Sequence, residues 1–131
     1  MIEPLTNSEL IFLKCLENVC NLPDYIVRET EAVMLNAFIA NYQNRFVQTP
    51  IEIITIGCLE YICDRNSFDL DYDKLIKFVQ FLFPKQLRHN MDRISKVKSQ
   101  AFARFDGKEL KFHHLRCVPY YIEGTKELFD F

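Results

Sequence analysis

Residues 85–114 read KQLRHNMDRISKVKSQAFARFDGKELKFHH, and the division of this stretch decides the fold. Its first part, from about residue 85 to 98, has the spacing of a strongly basic helix, with Asn90 as the point where it would break. Pro84 disfavours helical geometry at Phe83, so a turn is expected just before it. Its last part flanks Asp106-Gly107, the dipeptide that best supplies the positive φ angles of a two-residue type I′ turn. Residues 101–105 and 108–114 are therefore expected to pair as a β-hairpin.

Upstream, the apolar pattern is helical. Asp71 can cap a helix over residues 72–83, in which Tyr72, Leu75, Ile76, Val79, Leu82 and Phe83 share one face while Phe78 and Phe81 lie off it. Residues 66–71 alternate apolar and polar, as a short strand would. Thr49-Pro50-Ile51-Glu52 has the form of a capping box with proline at the first helical position, and opens a helix over about residues 50–63. The β-branched run Ile53-Ile54-Thr55-Ile56 leaves a strand as the alternative there. Pro23 suits the first turn of a helix reaching about Asn44. Thr6-Asn7-Ser8-Glu9 is a second capping box, leading a broadly apolar helix over residues 7–21. The fold class expected is α+β: about five helices with a C-terminal β-hairpin. Residues 1–131 form one domain, with an acidic helical part (1–65) and a basic part (66–131).

Composition bounds the function. The chain has 131 residues, 49% of them hydrophobic and 26% charged, which suits one globular domain with a real core. No apolar run approaches the roughly 18–20 residues a membrane span needs, and no basic start precedes an apolar stretch at the N-terminus, so an intracellular location, nucleus or cytoplasm, is expected. Five cysteines without a Cys-x-x-Cys pair indicate neither a disulfide framework nor a zinc knuckle, and most read as small core residues. The net charge of −2 conceals an asymmetry: four basic and nine acidic residues through residue 66, against twelve basic and nine acidic after it. Between Lys74 and Arg116, eleven basic residues face three acidic ones, and all three histidines fall there.

Helix, turn, basic helix, then hairpin is the element order of a winged helix-turn-helix, which offers its second helix to the major groove and its wing to phosphates. On that reading Lys85, Arg88, Arg104, Lys108 and Lys111 neutralise phosphates. Arg93, Lys96 and Gln100 share a helical face directed at the bases, Lys98 is a further candidate contact, and Ile94, Val97 and Ala101 point inward. A lysine-dominated surface favours backbone affinity over sharp base selection. The expected function is non-catalytic nucleic-acid binding, with transcriptional regulation as its natural setting.

From Asn66 to Leu128 the sequence also resembles a divergent heat-shock-factor DNA-binding domain. Asn66-Ser67-Phe68 is similar to the family's strand entering its first helix. Phe83-Pro84-Lys85-Gln86-Leu87-Arg88-His89-Asn90 is similar to its Leu-Pro-Lys-x-Phe-Lys-His-Asn turn. Phe102 stands for the phenylalanine after the recognition helix, and Tyr121-Ile122-Glu123-Gly124-Thr125-Lys126-Glu127-Leu128 resembles Phe-x-Arg-Gly-x-x-x-Leu. The resemblance implies a winged helix, with Lys96 at the position of the family's guanine-reading arginine. The family's Arg-Gln-Leu-Asn run and its tryptophan are absent.

A second resemblance gives the alternative function, a protein-interaction adaptor. Ile11-Phe12-Leu13-Lys14-Cys15-Leu16-Glu17-Asn18-Val19 is similar to the Elongin-binding box of ubiquitin-ligase adaptors, and a spacing of four puts Ile11, Cys15 and Val19 on one helix face for a partner groove. Core packing requires that face buried; a partner requires it exposed. The acidic helical half is the part expected to meet such a partner.

Catalysis, a metal and a cofactor are not expected. His113 and His114 would point to opposite faces of a strand, and no fourth ligand joins them and Cys117. Asp69, Asp71 and Asp73 lack the glycine and distal glutamate of a calcium loop.

Overall fold

The computed structural model describes residues 7–35 and 49–108, with side chains from Ile11 onward. Five helices lie among the described residues: α1 (Asn7–Cys20), α2 (Asp24–Val33), α3 (Ile51–Arg65), α4 (Tyr72–Leu82) and α5 (Leu87–Phe105). No strand occurs among them. The expected extension of the second helix to Asn44 lies outside the described residues, as do Thr6 and the segment from residue 109 onward.

α3 is the axis. Every residue from Ile53 to Cys63 is buried, on all sides of the helix, which is the signature of a core helix rather than an amphipathic surface one. Its β-branched run stays helical because burial compensates low propensity and because the Thr55 hydroxyl donates to the Ile51 carbonyl at 2.7 Å. α5 makes the most extensive packing against α3, followed by α2, with α1 also touching it. α4 lies on α1, where the Phe12 and Phe78 rings stack at 5.8 Å between centroids. Leu13, Leu16, Ile26, Ile54, Leu59, Ile62, Leu75, Val79 and Ile94 belong to one continuous core.

Two helix ends follow one chemistry. After α1, Asn21 takes φ 52° and the Leu22 N–H donates to the Glu17 carbonyl at 3.0 Å. After α3, Ser67 takes φ 53° and the Phe68 N–H donates to the Cys63 carbonyl at 2.8 Å, while the Ser67 N–H donates to Asp64. Both are six-to-one closures around a left-handed residue. The alternation at 66–71 is thus a helix exit and not a strand: Phe68 and Leu70 pack on the core while Ser67 reverses the chain. Asp71 does cap α4, its carboxylate accepting the Lys74 N–H at 3.2 Å.

The expected β-hairpin is corrected by α5. Residues 101–105 are its last turns, because Ile94, Val97, Ala101 and Phe105 keep helical spacing and are all buried. Asp106-Gly107 ends the helix instead of reversing a strand. Asp106 has φ −58° and ψ 126°, Gly107 has φ 70°, and the Lys108 N–H donates to the Phe105 carbonyl at 2.9 Å. Those angles define a type II turn, whereas type I′ needs positive φ at both central residues. With its first arm helical the wing is lost, and the α+β, winged-helix-like fold gives way to a helical one among the described residues. Nor does α5 break at Asn90, whose buried side chain donates to the Gln86 carbonyl at 2.9 Å and secures the first turn.

Candidate nucleic-acid interface

α5 is 19 residues long and has three distinct sides. One edge, Asn90, Ile94, Val97, Ala101 and Phe105, is buried. Along one flank, at spacings of four, three, four and four, run His89, Arg93, Lys96, Gln100 and Arg104, a line of roughly 22 Å at 1.5 Å per residue. Arg93 is half-buried and the other four are exposed. Arg93 Nη1 donates to Asn90 Oδ1 at 3.4 Å. No acidic residue falls in this line.

The remaining expected contacts scatter. Arg88 is exposed on the opposite flank, Lys85 precedes the helix and Lys108 follows it. Lys98 is turned toward α3, where its ammonium meets Asp64 at 2.6 Å and Glu60 at 3.9 Å. The bond to Asp64 holds that ammonium above its ordinary value, against the opposing effect of burial. Lys111 lies outside the described residues. The structure therefore brings together Arg93, Lys96, Gln100 and Arg104, adds His89, and withdraws Lys98 into an ion pair.

The opposite flank of α5 faces the C-terminal end of α3 across a cleft of about 590 Å³. Phe102 and Tyr61 meet there edge to face, with centroids 6.5 Å apart and planes at 82°. Arg65 braces its floor, donating to the Tyr61 hydroxyl at 3.2 Å, to the Phe105 carbonyl at 3.0 Å and to the Lys108 carbonyl. Nothing in the periodicity of the sequence signals this cleft; only the four-residue interval between Glu60 and Asp64 hints that α3 presents acids to a basic neighbour.

Glu60 is the costly residue of this region. It is 6% exposed, its Oε2 atom has no hydrogen-bond partner, and burial pushes its carboxyl above the usual range. Lys98 draws it partly back and Asp64 adds to the rise, with Tyr72 of α4 as a further neighbour.

On α1 the outcome for the second resemblance is direct. Ile11 is 63% exposed and Cys15 is exposed, while Val19 is half-buried against the core and Leu13, Leu16 and Cys20 face inward. Cys20, Cys58 and Cys63 are buried thiols, and burial raises Cys63 to about 12. No group of three or more potential metal ligands occurs among the described residues, and none of the described helices is long and apolar enough to cross a membrane.

Comparison with known proteins leaves these features to speak for themselves: no family model matches the chain, and no curated protein or solved structure matches it either.

Proposed function

We propose that the chain is a non-catalytic nucleic-acid-binding protein that grips the phosphate backbone with the His89–Arg93–Lys96–Gln100–Arg104 flank of α5. The observation that carries this reading is the line itself: three permanent cations, a hydrogen-bonding amide and an imidazole on one side of a rigid helix anchored to the core. Rigid placement matters because phosphate contacts gain most when the cations need no reordering. Lysine and arginine along a helix flank neutralise a polyanion without demanding a sequence. The acidic first half keeps other faces of the protein away from the polymer. Fluorescence anisotropy with a labelled oligonucleotide at low salt tests it. Binding by the native chain, lost in Lys96→Glu/Arg104→Glu, supports the reading; equal binding by both proteins rejects it.

The exposed Ile11 and Cys15 favour a second reading, in which the outer face of α1 docks into a partner's groove. Titration with the Elongin partner that such boxes bind tests it, Ile11→Ser being expected to abolish the complex.

A further inference from the structure

We infer that the cleft between α3 and α5 is a nucleobase site, so that the chain prefers single-stranded to duplex nucleic acid. The inference rests on the phosphate-binding reading of the α5 flank and adds a second contact to it.

The chemistry of the cleft excludes phosphate and suits a neutral planar ring. Its two cations are spent within the protein: Lys98 is paired with Asp64 at 2.6 Å, and Arg65 donates to one hydroxyl and two carbonyls. Asp64 and Asp106 would repel an anion. What the cleft offers is the Phe102 ring, 56% exposed although it lines a concave surface, with the buried Tyr61 ring nearly perpendicular to it. Around this aromatic corner stand the hydroxyls of Ser95 and Ser99 and the Asp106 carboxylate. A flat ligand that stacks on one face and carries N–H donors and carbonyl acceptors around its edge is a nucleobase. The volume of about 590 Å³ exceeds what one ring needs, leaving room for its sugar.

Position completes the argument. The cleft and the basic line occupy the two flanks of the same helix, one helix width apart, roughly 10 Å. The crest between them carries Ser99 and Ala103, small and uncharged, while the acidic Asp92 stands two turns earlier on the same crest. A strand held by Arg104 and Lys96 can pass over Ala103 and drop one base onto Phe102. Bases in a duplex are stacked and paired and cannot do so without being extruded.

The test uses the full chain with a mixed-sequence single-stranded oligonucleotide carrying one 2-aminopurine, and with its duplex. Stronger single-strand binding, with quenched 2-aminopurine emission, is expected of the native chain. Phe102→Ala should weaken single-strand binding about 5- to 150-fold, the range for loss of one base stack. It should abolish the quenching and leave the salt dependence and duplex binding unchanged. Phe102→Tyr should restore binding, which separates stacking from any effect on folding. If Phe102→Ala binds single strands like the native chain, the base site is wrong and the phosphate reading survives. If the native chain binds neither polymer, the phosphate reading fails and takes the base site with it.

Discussion

Gly57 of α3 lies directly beneath Val97 of α5: a β-carbon built on Gly57 would stand 2.5 Å from Val97 Cγ1, 2.6 Å from Val97 Cβ and 3.0 Å from the Ile94 carbonyl oxygen. The absence of a side chain at this one position lets the two helices approach closely, and the orientation of α5, with its basic flank outward, depends on that approach.

Gly57→Ala is therefore expected to destabilise the fold. Alanine is better than glycine in a helix by roughly 1 kcal/mol. The overlap involves Val97 Cβ and helix backbone, which cannot swing away, and overpacking of this kind costs about 1–3 kcal/mol. Chemical denaturation should show a net loss, and Val97→Ala should not rescue it, because Val97 Cβ remains.

Glu60 makes stability depend on pH. Burial raises its carboxyl above the unfolded value of 4.5, so the folded chain binds the proton more tightly than the unfolded chain does. Stability from this group is then present at pH below 4.5 and is lost as pH rises through the raised value. Glu60→Gln should be more stable than the native chain at pH 7 and should match it near pH 4. Denaturation midpoints at the two pH values measure this. A less stable variant at pH 7 would mean that attraction to Lys98 outweighs burial.

Ser67 holds φ 53° without glycine's freedom. Left-handed geometry costs an L-residue roughly 1–2 kcal/mol, and glycine returns part of that as unfolded-state entropy. Ser67→Gly is expected to stabilise by about 0.5–1 kcal/mol, seen as a higher melting temperature.

The two sides of α1 should respond unequally. Leu13→Ala, in the core, is expected to cost about 2–5 kcal/mol. Ile11→Ser, on the exposed face, should stay within roughly 0.5 kcal/mol of the native chain. Equal losses in a thermal melt would show that Ile11 is covered.

Much of this architecture was legible in the residues. The Asp71 cap, the apolar spacing of α4 and the turn at Pro84 are local signals, and each lies where it was expected within a residue or two. The inward edge of Ile94, Val97 and Ala101 is likewise legible in their helical spacing. The error came where two local chemistries share one dipeptide. Asp106-Gly107 suits both a hairpin and a helix exit, and only the burial of Ala101 and Phe105 against α3 decides between them. The all-round burial of α3 is not legible in the residues, since a sequence shows what is apolar but not how many neighbours will cover it. The Phe102–Tyr61 corner escapes the sequence for the same reason: its rings are 41 positions apart and meet only across the packed α3–α5 contact.

Phosphate binding by one flank of α5 sets the slope of log binding constant against log salt concentration, measured for the native chain and for Lys96→Glu/Arg104→Glu. Three cations on the flank should give the native chain a slope of about −2 to −3, counting roughly 0.7–0.9 per phosphate neutralised. The variant should lose about two contacts' worth of that slope along with most of its affinity. Native binding that ignores salt, or a slope that the variant leaves unchanged, would contradict the account.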